Sequence, residues 1–129
     1  MPVELAELQA WVDAYVRAWE TNDPQLVASL FTEEARYFTH PFRDPWDGRE
    51  AIVKSWTENP DPPGSWKADY RAIAATGQTG VVRGRTAYLG DDGSVDREYA
   101  NVFIVEFDGQ GRASEFTEFF MLNKPPPRT

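Results

Sequence analysis

Three glycine-rich turns punctuate the second half of the chain, and they limit its fold more than any other feature. Gly77-Gln78-Thr79-Gly80, Gly90-Asp91-Asp92-Gly93 and Asp108-Gly109-Gln110-Gly111 separate stretches in which apolar and polar residues alternate. From Trp66 to Thr76, Trp66, Ala68 and Tyr70 alternate with Lys67, Asp69 and Arg71. Val81 to Leu89, Arg97 to Phe107 and Ala113 to Leu122 follow. Each has the period of two of a strand, and the short turns predict an antiparallel meander of four long strands.

The first half has helical spacing instead. From Val3 to Glu20, Leu5, Leu8, Val12, Tyr15, Val16 and Trp19 recur at three- and four-residue steps. Asn22-Asp23-Pro24 ends that helix and starts a second, about Pro24 to Phe31, because Asp23 can cap and Pro24 suits the first helical position. Thr32-Glu33-Glu34 leads into a short strand from Tyr37 to His40. Pro41 and Pro45 break it. Gly48 can cap a third helix, Arg49 to Glu58, which buries Ile52, Val53 and Trp56. Asn59 to Gly64, with three prolines, reads as a loop, and Lys124 to Thr129 as a Pro-rich tail after a single domain over residues 1–123.

Helices followed by a meander imply an α+β domain, a cone in which a curved antiparallel sheet has three N-terminal helices covering its concave face. The mouth of such a cone suits a small molecule. The chain has 129 residues, enough for one core, and no cysteine, so no disulfide or thiolate metal site is expected. A single histidine, His40, cannot build a typical zinc site, so no metal is expected, and no cofactor is expected either. A net charge of −8 argues against nucleic acid or an anionic membrane as partner. No apolar run approaches the ~20 residues of a membrane span. Glu4 and Glu7 near the start argue against a signal peptide, and a cytoplasmic location is expected. Five Trp, five Tyr and eight Phe either fill a core or line a pocket.

His40 lies at a corner between strand and helix, among Tyr37, Phe38, Phe42 and Trp46. An imidazole exchanges protons near neutral pH, so His40 is either a general base or acid, or a hydrogen-bonded structural residue. Asp44 and Asp47 flank Trp46; they are turn formers, though Asp44 could orient His40. Trp46 and Phe42 form the mouth of the cone or seal it. Arg83 and Arg85 share one face of their strand, either clamping an anion or pairing across strands with Glu98 and Glu106.

The order of elements, Asp23-Pro24 before the second helix, His40-Pro41-Phe42 before Gly48-Arg49-Glu50, and Phe107-Asp108 with Gly111-Arg112 before a last aromatic strand resemble the SnoaL-like polyketide cyclases and the ketosteroid isomerases of the nuclear-transport-factor-2-like superfamily. The resemblance covers almost the whole chain. It implies the cone fold and leaves the chemistry open, because this fold hosts isomerases, cyclases, dehydratases and non-catalytic binding subunits. It places Tyr15 at the position of an oxyanion-hole tyrosine and His40 at that of an aspartate base. Phe103 stands where the isomerases have a protonated aspartic acid, which argues against steroid isomerisation.

With Phe103 inward by that resemblance, strand parity turns Tyr99 and Asn101 inward too, and on the last strand Phe116, Glu118 and Phe120. Glu118 is then an acid on an aromatic face and needs a partner, for which His40, Asn101 and Tyr15 are candidates. The expected catalytic set is His40, Tyr15, Glu118 and Asp44. The expected substrate-binding set is Trp19, Tyr37, Trp46, Trp56, Tyr99, Asn101, Phe103, Phe116 and Phe120. One reading is an enzyme in which His40 moves a proton beside a carbonyl of a small hydrophobic oxygenated substrate, giving isomerisation, dehydration or cyclisation. The other is a non-catalytic binder or association domain. Ala100, Val102, Ile104, Thr117, Phe119 and Met121 make an apolar stripe on the outer face, rimmed by Arg83, Arg85, Glu98, Glu106 and Glu115, which predicts a homodimer through that face.

Overall fold

The computed structural model describes residues 2–124, so most of the Pro-rich tail lies outside the described residues. The first helix, α1 (Leu5–Thr21), buries Leu8, Trp11, Val12, Tyr15 and Ala18. Leu5, expected inside, is 48% exposed, while Trp11 and Ala18 join the inner stripe. The helix stops at Asn22, which turns left-handed at φ 54° and bonds its N–H to the Ala18 carbonyl at 2.8 Å. Asp23 caps α2 (Pro24–Ser29) by accepting the Gln25 N–H at 2.9 Å.

The second helix is shorter than its apolar spacing suggests, because Phe31 already starts a strand, β1 (Phe31–Phe38). An irregularity conceals that strand in the sequence. Its register slips between Phe31 and Arg36, and Glu33 and Glu34 are both exposed, so the period of two is lost there. Thr39 and His40 lie in the bend after β1 rather than within it. The two-residue β2 (Trp46–Asp47) pairs antiparallel with β1 and is too short to leave a pattern. Gly48, at φ 93°, then caps α3 (Arg49–Glu58) in a conformation that side chains disfavour.

The meander follows as expected: β3 (Trp66–Thr76), β4 (Thr79–Leu89), β5 (Val95–Phe107) and β6 (Ala113–Leu122), each antiparallel to the next. β4 begins at Thr79, so the first turn is Gly77-Gln78. β1 joins β6 in parallel, which completes a six-stranded curved sheet in the order β2-β1-β6-β5-β4-β3. The α+β cone is thus the observed architecture.

Two glycines allow close contacts, one between helix and sheet and one within the sheet. A Cβ on Gly80 would come within 2.7 Å of Leu8 Cδ1, so α1 sits directly on β4. Gln9 ties the same helix to β3, donating to the Tyr70 carbonyl at 3.2 Å and accepting from the Ala72 N–H at 2.8 Å. Gly84, midway along β4, lies under the Tyr70 ring, and a Cβ there would collide with Tyr70 Cδ1 and the Asp69 carbonyl. Gly84→Ala is therefore expected to destabilise the fold by about 1–3 kcal/mol, the usual effect of overpacking, and to displace Tyr70. Denaturant unfolding checks this; wild-type stability in the variant would show that Tyr70 does not rest on Gly84.

Behind the sheet's inner face an aromatic cluster forms the floor of the cone. Phe116, fully buried, stacks on Tyr37 at 4.4 Å and on Tyr15 at 5.4 Å, and packs against Phe103 at 4.9 Å and Trp11 at 6.1 Å between ring centroids. Trp11 is anchored by donating its indole N–H to the Leu30 carbonyl at 3.0 Å.

Candidate functional site

The cone opens into a cavity of about 450 Å³, within the range of small-molecule sites. Its wall comes from the C-terminal half of α1, the bend after β1, α3 and its following loop, and the concave faces of β3 to β6. Among the residues expected from sequence, Tyr15, Trp19, Tyr37, His40, Trp46, Trp56, Tyr99, Asn101, Glu118 and Phe120 line it. Phe103 and Phe116 do not. They are 1% and 0% exposed in the floor below, so they support the wall instead of touching a ligand. Asp44 is exposed and not part of the lining; the neighbour that bonds His40 is Thr39.

Polar chemistry concentrates at two places. At one, the Tyr15 and Tyr37 hydroxyls share a hydrogen bond of 2.7 Å. One hydroxyl donates to the other, which leaves one proton free of the pair. Burial pushes both phenols well above their ordinary range, and the nearby Glu118 charge pushes further in the same direction. Both remain protonated donors at any ordinary pH. Tyr37 is held by Trp46, stacked on it at 4.7 Å, and Tyr15 by the edge of Trp56 at 5.0 Å.

At the other, Glu118 projects from β6. Its Oε2 accepts from Asn101 Nδ2 at 2.8 Å. Burial pushes its carboxyl up to about 7, and the Asn101 hydrogen bond pulls back only part of that shift. Among the described residues no fully enclosed side-chain oxygen or nitrogen lacks a partner, so Oε1, which makes no protein hydrogen bond, opens to the cavity. Asn101 Oδ1 in turn accepts from the Thr86 hydroxyl at 2.9 Å, and Thr86 Oγ1 is bonded to the Tyr70 hydroxyl at 2.5 Å.

His40 is half-buried at the mouth. Its Nδ1 shares a hydrogen bond of 2.9 Å with the Thr39 hydroxyl, and its ring stands edge-on to Phe120 at 4.9 Å. The hydrogen bonds of His40 and Glu118 thus go to different partners, Thr39 and Asn101.

Sequence reasoning missed several lining residues. Tyr70, Thr86, Tyr88 and Arg97 all face the cavity. Parity would have found Arg97, two residues before Tyr99, and Tyr70 on the Trp66 face of β3. Arg97 lies over Tyr88 at 4.5 Å and donates to the Tyr99 hydroxyl at 3.2 Å. Burial first, and the Asp61 charge second, push the Tyr88 phenol up to about 12. Asp61, read only as loop, accepts the Trp19 indole N–H at 2.9 Å while Trp19 stacks on Trp66 at 3.6 Å. No group of three or more His, Asp or Glu side chains among the described residues is placed to hold a metal ion.

Arg83 and Arg85 are exposed and outside the cavity wall. Arg85 lies 3.9 Å from Glu98, whereas Glu106 accepts from Thr79 at 2.8 Å. No helix among the described residues is long and apolar enough to cross a membrane.

A cone of this topology, closed at its floor and open to a cavity, has the nuclear-transport-factor-2-like fold. A family model for the SnoaL-like domain matches residues 12–116, and the chain belongs to that family. Solved structures agree. A proposed ketosteroid isomerase from Kribbella flavida DSM 17836 is 21% identical with a TM-score of 0.71, the match covering 97% of this chain and 85% of that one. An NTF-2 like protein of unknown function from Burkholderia xenovorans LB400 is 17% identical with a TM-score of 0.71, covering 95% and 88%. A protein of unknown function with a cystatin-like fold from Methylobium petroleophilum PM1 is 18% identical with a TM-score of 0.70, covering 98% and 82%. At these identities the likeness establishes the fold. No curated protein matches the chain significantly.

Proposed function

We propose that the domain is a cofactor-independent enzyme that moves a proton next to a carbonyl group of a small, hydrophobic, oxygenated substrate. The observation that carries this reading is Glu118: a mostly buried carboxyl with one oxygen open to an aromatic cavity and a pKa of about 7. At neutral pH such a group both takes and returns protons. In the forward step Oε1 removes a proton from the carbon beside the carbonyl. The C–H electron pair becomes the enolate double bond, and the carbonyl π pair moves onto oxygen. The free proton of the Tyr15–Tyr37 pair supplies the hydrogen bond to that oxygen, strengthened by the second hydroxyl behind it. In a β,γ-unsaturated substrate the enolate is a dienolate, and return of the proton from Oε1 to its γ-carbon as the carbonyl re-forms gives the conjugated isomer. In a β-hydroxy substrate the same proton passes to the hydroxyl, which leaves as water with the C–O pair while the enolate pair becomes the new double bond and the carbonyl re-forms.

This assigns the base to Glu118 rather than to His40. His40 stands at the mouth, where it is suited to exchange a proton with the outer end of the substrate or with water. Replacing each in turn separates the roles: Glu118→Gln is expected to lower proton abstraction by roughly 10²–10⁴, and His40→Ala by a smaller factor. The substrate class is tested by a thermal-shift screen of small carbonyl compounds, followed by turnover assays on the hits. Compounds that raise the melting temperature yet never react would favour the second reading, a non-catalytic ligand-binding domain, which the saturation of the enclosed polar atoms by internal hydrogen bonds also supports.

The domain acts as a homodimer in this proposal. On the convex face Ala100 pairs with Met121, Val102 with Phe119 and Ile104 with Thr117, so two adjacent strands present one apolar stripe. Met121 is 75% and Phe119 43% exposed. A two-fold interface buries the stripe. Replacing Ile104 and Phe119 with charged residues is expected to yield a soluble monomer, read by light scattering. A wild-type mass near 14.7 kDa at micromolar concentration would refute the dimer.

A further inference from the structure

Thr86 and Asn101, 2% and 4% exposed, are the buried polar side chains among the described residues, and they touch each other. Both lie under the cavity, on neighbouring strands paired through Thr86↔Tyr99 and Gly84↔Asn101. Burying two such groups beside an aromatic floor is unfavourable unless their hydrogen bonds are specific. The donors can be assigned in sequence. A hydroxyl has one proton, and the Thr86 proton goes to Asn101 Oδ1. The Tyr70 hydroxyl therefore donates to Thr86 Oγ1. With its Oδ1 engaged by Thr86, the Asn101 amide can present only its NH₂ to Glu118. The run Tyr70→Thr86→Asn101→Glu118 thus has one direction, and it starts on β3 and ends on β6.

We propose that Tyr70 and Thr86 are positioning residues that act through Asn101: they lock its NH₂ onto Glu118 Oε2, and so leave Oε1 as the oxygen that exchanges the proton with a bound ligand. This rests on the reading of Glu118 as the proton carrier only for its catalytic consequence; the locking itself is a property of the unliganded cavity. Were the amide free to turn, its carbonyl would face the carboxyl and favour a proton on Oε2, pointing away from the ligand. The other ionisable groups facing Glu118 are the Tyr15, Tyr37, Tyr70 and Tyr88 phenols, which stay neutral because burial raises each of them. His40, Asp61 and Arg97 stand around the same cavity. None of these three is altered by a change at Thr86.

The test is a ¹³C NMR titration of the Glu118 carboxyl in otherwise intact protein. Thr86→Val keeps the shape and removes the donor, and is expected to raise the Glu118 midpoint by about one pH unit. Thr86→Ser restores the hydroxyl and is expected to restore the wild-type midpoint. Tyr70→Phe removes the outer donor and is expected to shift the midpoint the same way by a smaller amount, so the proposal stays testable if Thr86→Val does not fold. A folded Thr86→Val protein that titrates with the wild type overturns the proposal, as does a folded Tyr70→Phe protein whose midpoint falls or stays at the wild-type value. Turnover is read separately on Glu118→Gln. If that variant stays active while Thr86→Val shifts the midpoint, the locking stands and the assignment of Glu118 as base is what fails.

Discussion

Replacing Glu118 with glutamine is expected to lower turnover by roughly 10²–10⁴, the span of a general acid–base group, while making the protein more stable above neutral pH. The two effects have one cause. The folded-state pKa of Glu118 is raised from 4.5 to about 7, with burial as the cause. Between these values the folded protein binds a proton that the unfolded chain has released. Its stabilising contribution is complete below about pH 4.5 and is lost as pH rises through about 7. The ionised carboxylate thus costs the fold roughly 3 kcal/mol at pH 8, which a neutral glutamine does not incur. Turnover has the opposite slope, because the base must be ionised: kcat/KM is expected to rise through about pH 7. Urea unfolding and a pH–rate profile on the same two proteins check both slopes. A glutamine variant less stable than wild type at pH 8 would show that Glu118 is stabilised by its setting instead of strained by it.

Phe116→Ala is expected to destabilise the fold by about 3–5 kcal/mol, at the upper end for a truncated core aromatic. Its ring is fully buried and contacts Trp11, Tyr15, Tyr37 and Phe103, so its removal opens a void bordered by four rings. Most small domains have only about 5–15 kcal/mol in total, so the variant is expected to unfold at markedly lower urea. Because Phe116 stacks on both Tyr15 and Tyr37, what remains folded should also bind ligand poorly. A loss below about 1 kcal/mol would mean that the floor of the cone is far less tightly packed than the ring distances indicate.

The sequence was most informative where periodicity is unbroken. On β5 and β6, strand parity placed Asn101 and Glu118 on the inner face and Ala100 and Phe119 on the outer, and the register agrees. It was least informative where local structure departs from a period. Of β1 only Tyr37 and Phe38 fall in the strand that the sequence predicts, because the slip between Phe31 and Arg36 destroys alternation before them. β2, at two residues, offers no alternation to read. The site was legible in part for the same reason. Tyr15, His40, Tyr99 and Glu118, expected from the resemblance and parity, line the cavity, whereas Asp44, close to His40 in sequence, is carried outward into solvent. Phe103 and Phe116 do face inward; whether an inward ring lines a cavity or fills a floor depends on what packs above it, here Tyr15 and Tyr37. Asp61 shows the converse, since a proline-rich loop gives no periodic sign that it folds back to meet Trp19.

If Glu118 is the base, it exchanges protons with carbon next to a carbonyl inside this cavity, and hydrogen–deuterium exchange reads that step without knowledge of the product. Carbonyl compounds that bind are incubated with the protein in D₂O, and loss of the proton signal beside the carbonyl is followed by NMR. At least one bound compound is expected to exchange far faster than in buffer, and that rate is expected to fall by roughly 10²–10⁴ in Glu118→Gln. Bound compounds that exchange no faster than in buffer, or an undiminished rate in the glutamine variant, would contradict it.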